Sequence, residues 1–241
     1  MLRKTSDRVA LEHGEQTTSP RTGLSVSAAA SSTPAAGHAR RRRLALLTLF
    51  IVLAGVLYLD RLPVLREAAR LWIVSDPLAP ADAVAVLGGG VDDRPFAAAA
   101  YYRAGLVTKI LVSDDWMGKA ATLGAVPSDT QANLAVLRKL GIPESAIDTF
   151  GEGARNTHDE ALALDAWAKA HNAHRLIVPS EIFSARRVRW TFNRVLGPGA
   201  TIIVPALDPP QYDRNDWWHE DAGIIAFQNE ILKYFSYRLR Y

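Results

Sequence analysis

Cysteine is missing from all 241 residues, which excludes disulfides, thiolate zinc sites and a cysteine nucleophile while leaving the redox compartment open. Neither a G-x-G-x-x-G fingerprint nor a P-loop with its lysine occurs, so no dinucleotide or nucleoside triphosphate is specified. The chain has no internal repeat and no basic stripe with interleaved aromatics. Its formal charge of +3 is a local matter: residues 1–43 carry eight Lys/Arg against three Asp/Glu, and the other 198 residues carry 20 against 22. The basicity belongs to the tail, and nucleic acid is excluded as a partner of the folded part.

With 49% hydrophobic content there is material for one domain of ordinary size and something more. Residues 1–39 are rich in Ser, Thr, Ala, Gly and Pro, without a period that would bury a face, and read as disordered; with the arginines they form a basic tail over 1–43. Arg40 to Arg43 then lead into sixteen uncharged, mostly apolar residues, Leu44 to Leu59, closed by Asp60 and Arg61. As a helix that run spans about 24 Å, short of the ~30 Å hydrocarbon core, so snorkelling arginines and local thinning must cover the difference. A buried core helix and a cleavable signal peptide are the alternatives. Leu59-Asp60-Arg61-Leu62-Pro63 offers no A-x-A-like cleavage site, so an uncleaved signal anchor over 44–60 fits best. The arginines hold the amino-terminal side in the cytoplasm and place the rest outside the inner membrane.

Leu65, Ala68, Ala69 and Trp72 recur at helical spacing in "PVLREAARLWIV", residues 63–74, predicting a stalk helix against the domain or the bilayer surface. The proline-bearing "SDPLAPAD" ends it, and 61–80 is the linker. Short β-branched runs at 82–87, 109–113, 146–150, 175–179 and 201–205 then alternate with helical stretches at 94–104, 128–140, 157–172, 183–195 and 220–238. Strict alternation with continuously apolar strands predicts an α/β domain over 81–241: a Rossmann-like, doubly wound, mainly parallel sheet of about five strands.

Ligands of such sheets sit beyond the carboxyl ends of the strands, where "LGGG" follows the first one. Glycine there permits positive φ and close approach of the backbone, and the next helix offers free amides. The turn is read either as a docking place for an anion or sugar edge or as a tight connection without a ligand.

The segments "ADAVAVLGGG", "RPFAAAAYYRAGLVTKILVS", "SDTQANLAVLRKLGIPESAI", "ARNTHDEA", "LIVPSEIFSARR" and "DWWHEDAGIIAFQNEILKY" follow one another in an order and spacing that resembles the bacterial YdcF/SanA/ElyC-like family of envelope proteins, over about residues 75–237. The resemblance implies a Rossmann-like fold, anchoring in the bacterial plasma membrane by a single helix, and a role in envelope or peptidoglycan biogenesis. Carried over by position, Arg94 matches an arginine opening the first helix, Asp129 stands where a Glu is usual, and Arg155, Asn156 and Thr157 match a polar run after the third strand. Arg186 matches an arginine after the fourth. With Gly88, Gly89, Gly90, Ser113, Asp114 and Ser180 these form the candidate ligand set, and two arginines converging on main-chain amides would cradle an anion. Arg94 is alternatively an ion-pair partner of Asp92 or Asp93, Asp129 a capping acid, and Arg187 and Arg189 are assigned to solvent or structure.

Departures from the pattern matter equally. Ser113-Asp114-Asp115 replaces a common Ser-Gly-Gly and adds negative charge; Phe183 replaces a common His, removing the obvious general acid or base; Asp159-Glu160 replaces Glu-Asn. His158 and His174 read as ordinary helix and turn residues. Asp114, Asp115, Asp129 and Glu181 lie at strand ends where a hard cation could bind, but no spacing demands one. Trp217, Trp218, Glu230 and Lys233 match the closing segment, and the tryptophans read as core packing or as a stacking surface for a ring. Three functions remain open: binding of a phosphorylated or glycosylated envelope metabolite, such as a lipid-carrier intermediate; a hydrolase or transferase using Asp114, Asp115 or Asp129; and a noncatalytic scaffolding or regulatory module.

Overall fold

The computed structural model describes residues 35–241. Helix α1, Ala35–Leu59, takes the arginines and the apolar run into one helix, as expected of a stretch dominated by alanine, leucine and arginine and free of proline. The expectation of a disordered tail is thereby corrected for residues 35–43, and over 1–34 it lies outside the described residues. A division of the chain into two units falls inside α1, between Val52 and Leu53. Among the described residues no single helix is long and apolar enough to cross a membrane; His38–Val56 and Arg61–Trp72 reach that length and apolarity as a pair.

The second of these, α2, Arg61–Trp72, commits its apolar side to the domain. Ala69 is buried, and Leu65 and Trp72 pack with it against Ile182, Phe183, Tyr212 and Trp217. The indole of Trp72 donates to the carbonyl of Phe183 at 2.8 Å. Of the two surfaces open to the stalk helix, the domain takes it.

Strands β1 (Ala83–Val86), β2 (Lys109–Asp115), β3 (Ile147–Ala154), β4 (Arg175–Ile177) and β6 (Thr201–Ile203) form one parallel sheet in the order β3-β2-β1-β4-β6. Two short strands, β5 (Ser180–Glu181) and β7 (Ala206–Leu207), pair parallel beside it. Helices α3 (Arg94–Arg103), α4 (Lys119–Thr122), α5 (Asp129–Lys139), α6 (Thr157–His171), α7 (Ala185–Leu196) and α8 (Asp221–Arg240) complete the domain. The sheet is Rossmann-like. β1 is buried along its whole length, and its alternation divides the core: Ala83, Ala85 and Leu87 join Leu164, Val188 and Phe192, while Val84 and Val86 join Ala98, Ala99 and Leu137 on the opposite face.

From β1 the chain winds through β2 to β3, then crosses to β4 and β6 on the other side. The winding direction reverses between β1 and β4, and the crevice at their carboxyl ends is where such sheets leave room for a ligand. Several boundaries differ from the sequence expectation, and β2 runs two residues past its expected end, to Asp115. β3 runs on to Ala154 because Gly151 and Gly153, at φ +88° and +69°, let the strand bend and continue. The fourth apolar run stops as a sheet strand at Ile177 and resumes as β5. Helix α7 starts at Ala185 instead of 183 because Glu181 accepts hydrogen bonds from the amides of Phe183 (3.0 Å) and Ser184 (3.2 Å), closing a turn first.

Candidate functional site

The three glycines after β1 serve two different purposes. Gly89 and Gly90 stand at φ +71° and +57°, a left-handed conformation that side chains resist. Gly88 is required by crowding: a Cβ there would lie 1.9 Å from Oδ2 of Asp115, so the carboxyl group at the end of β2 rests on the bare α-carbon at the end of β1. The turn is then tied down from both sides. The amide of Gly88 donates to Oε1 of Glu160 at 2.8 Å, and Arg94 donates through Nη1 to the carbonyl of Gly88 and, at 3.4 Å, to that of Leu87.

Above this turn opens a cavity of about 630 Å³, bounded by the carboxyl ends of β1 to β3, the starts of α3, α5, α6 and α7, and the inner side of α8. Seven carboxylates line it (Asp92, Asp93, Asp115, Asp129, Glu160, Glu181, Glu230) against four cations (Arg94, Arg155, Arg187, Lys233).

Local sequence explains how each comes to face inward. Ser128 caps α5 with a reciprocal Ser128–Gln131 arrangement, so Asp129 is left in the first turn, favoured there by the helix dipole and free to face the cavity. Asn156 caps α6 by accepting from the amides of His158 (2.9 Å) and Asp159 (3.2 Å). One turn later Glu160 is buried beneath the glycine turn. Ser113 and Asp115 share a side of β2, and Ser113 Oγ donates to Asp115 Oδ1 at 2.7 Å. The other carboxyl oxygen of Asp115, Oδ2, is buried without a partner.

Burial is the main reason that Asp115 titrates far above an ordinary aspartate, at about 7; the hydrogen bond from Ser113 opposes it, and the charges of Glu160 and Asp129 add to it. Burial also raises Glu160, against the pull of the Gly88 amide and Arg94. Burial thus favours the neutral form of both acids. Glu181 is raised by burial as well, and the phenol of Tyr212 donates to it.

On the opposite wall, Arg187 and Glu230 form a buried two-pronged ion pair, Nε to Oε2 at 2.6 Å and Nη2 to Oε1 at 3.0 Å. Arg187 also donates to Thr157 Oγ1 at 2.7 Å, and Lys233 to Glu230 at 3.2 Å. Burial alone would raise Glu230; Arg187 and Lys233 outweigh it and hold the carboxyl below its ordinary range.

Of the expected ligand set, Gly88, Gly90, Arg94, Asp129, Arg155, Asn156 and Thr157 line the cavity. Gly89, Ser113, Asp114, Ser180 and Arg186 do not. Gly89 shapes the turn; Ser113 acts through Asp115; Asp114 lies at an irregularity in the β2–β3 register, outside the lining; Ser180 is buried in a hydroxyl pair with Ser184 at 2.7 Å.

Arg186 is the largest correction. It reaches back to α2, donating to the carbonyls of Trp72 (2.8 Å) and Leu71, and its guanidinium lies over the Trp72 ring. The second arginine of the cavity is its neighbour Arg187. Within the glycine turn, the amide of Gly88 is already taken by Glu160. Arg186→Ala is expected to loosen α2 and lower unfolding free energy by about 1–2 kcal/mol, measured by urea denaturation.

No protein-family model matches the chain. No curated protein matches it either. Among solved structures, the reductase domain of an aureusimine biosynthetic cluster is similar at 13% identity and a TM-score of 0.28, over 61% of this chain and 55% of that one. The chain thus spans about half the length of that domain, and so slight a likeness carries no argument about the site.

Sequence reasoning missed Glu160, Arg187 and Tyr212 as cavity residues. A signal existed for two: Thr157, Glu160, Ala161 and Leu164 share a helix face, and Arg187 flanks the Ala185, Val188, Phe192 row. Phe183 is core, stacked on Tyr212 at 5.6 Å between centroids and edge-on to Trp217. Trp217 is buried there, so the core-packing reading holds for it. His158 stacks on Tyr241, and His174 sits in the turn before β4 with its amide bonded to Asp82. Among the described residues no cluster of three or more His, Asp or Glu is placed to hold a metal ion.

Proposed function

We propose that this is a membrane-anchored envelope protein of the YdcF/SanA/ElyC type, whose α/β domain binds a glycosylated small molecule at the carboxyl edge of its sheet. The observation that carries the ligand class is the carboxyl-rich lining of the cavity. Carboxylates outnumber cations seven to four. Three of the cations are already engaged, Arg94 with main-chain carbonyls and Arg187 and Lys233 with Glu230. Such a lining gives a phosphate few free donors, whereas sugar hydroxyls donate to and accept from carboxyl groups, and exposed Trp116 supplies a ring face for stacking. A phosphorylated or lipid-linked sugar is accommodated with its anion toward Arg155.

The anchor rests on sequence: four arginines ahead of sixteen uncharged residues orient α1 with its amino end in the cytoplasm and the domain outside the bacterial plasma membrane. Purified protein is expected to gain a few degrees of Tm with millimolar muropeptides or nucleotide sugars and none with inorganic phosphate. The reverse pattern, or no shift with either, would reject the reading.

Asp115 favours a second reading, hydrolysis or group transfer with Asp115 as general acid or base, because its carboxyl lines the cavity and changes protonation near neutral pH. Asp129 stands in the same cavity and Asp114 does not. Turnover that survives Asp115→Asn would dispose of it.

A further inference from the structure

The outward side of α8 carries an unexplained pattern. Ile225, Leu232 and Leu239 recur every seventh residue and so stand on one stripe, with Ile224 and Phe235 beside them. All five are exposed, Leu232 by 69%, Phe235 by 59% and Leu239 by 90%. The other side of the same helix is fully used: Gly223 and Glu230 are buried, and Phe227 packs into the aromatic cluster. Helix α8 therefore has two apolar sides, of which the domain covers one.

Charge decides what covers the other. Lys233 and Arg240 border the stripe on one edge and Arg238 on the opposite edge, and residues 231–241 contain no acid at all. Arg238 and Arg194 lie over the ring of Trp190, and Arg238 also over Tyr234, placing amphipathic aromatics at the level of the cations. An apolar row flanked on both edges by cations, with aromatic rings beside them, is the arrangement of a helix lying in a lipid interface.

We propose that the outer stripe of α8 rests on a bilayer surface rich in anionic headgroups, with Leu232, Phe235 and Leu239 among the acyl chains and Arg238 and Arg240 at the phosphates. The contact is independent of what the cavity binds. It does, however, give the cavity a position, because Glu230 and Lys233 of this helix line it: its α8 wall faces the lipid–water boundary.

The absence of cysteine makes a clean test possible in the full chain. Nitroxide labels are placed singly through Leu239→Cys, through Leu49→Cys in α1 and through Lys119→Cys in α4 as an exposed control. The chain is reconstituted into vesicles of phosphatidylcholine alone or with phosphatidylglycerol, and accessibility to oxygen and to a water-soluble nickel complex is read by electron paramagnetic resonance. The label at 239 is expected to be shielded from nickel and open to oxygen only when phosphatidylglycerol is present, with the control exposed throughout. Arg238→Gln and Arg240→Gln should each lower the docked-to-free ratio roughly fivefold. A label at 239 as nickel-accessible as the control on both vesicles overturns the proposal. So does lipid-independent shielding with dipolar broadening, which would assign the stripe to a second copy of the chain. The label at 49 reports the anchor separately, so a failure of α1 to insert is distinguished from a failure of α8 to dock.

Discussion

Replacing Arg187 with methionine is expected to lower the unfolding free energy by about 3–5 kcal/mol, the largest effect of any single substitution considered for this domain. The reason is what stays behind. Glu230 is buried and keeps only Lys233, at 3.2 Å from a side chain that is itself more than half exposed. A carboxylate deprived of its two-pronged partner must either ionise in a poor solvent or take up a proton. The loss should accordingly be greater at pH 8 than at pH 5, and urea titrations at the two pH values would show it. Replacing Glu230 with leucine in the same chain removes the stranded charge and should recover most of the stability. Ligand binding should not recover with it, because Arg187 also fixes Thr157 at the mouth of α6. A double variant that folds firmly and binds normally would show that the pair has no part in the site.

Asp115→Asn should act in the opposite direction on stability and only over part of the pH range. The folded state raises the aspartate from 3.8 to about 7, so it favours the protonated form. Stability from this group is complete below about pH 4 and is lost as pH climbs through 7. A displacement of that size corresponds to ~4 kcal/mol in a dry site, and screening by water in the open cavity reduces the expected figure to about 2 kcal/mol. Asparagine keeps an oxygen for the Ser113 hydroxyl and cannot ionise. At pH 8 the variant should be more stable than the natural chain by that amount, equivalent to a rise in Tm of several degrees. At pH 4 the difference should vanish. If Asp115 serves as acid or base, the same substitution removes turnover entirely, so stability gained and activity lost would appear together, as expected where a strained group is kept for function.

How much of this could be read from the residues alone depends on whether a feature is local. The sheet was legible because each strand is a continuous apolar run between turn residues, and a parallel arrangement follows from helices intervening each time. The glycine turn was legible for the same reason. The choice between Arg186 and Arg187 was not: neighbours on a helix differ by about 100° in direction, so the assignment hinges on where α7 begins, and that was set by the Glu181 turn. Asp114 and Asp115 pose the same problem on a strand, where only the extension of β2 to 115, past an irregularity in its register with β3, decides which one enters the cavity. Glu160 depends on a partner 72 residues away, the amide of Gly88, and no local pattern announces such a pairing.

The carboxyl of Asp115 resting against the α-carbon of Gly88 ties the chemistry of the site to the alignment of two strands. β1 and β2 pair Ala83 with Lys109 and Val86 with Val112; a slip by one residue would turn Asp115 away from the glycine and put Asp114 or Trp116 in its place. Mispaired chains would then lack this wall of the cavity, and the ligand proposed for it, if present while the domain assembles, would capture properly zipped molecules out of a mixed population.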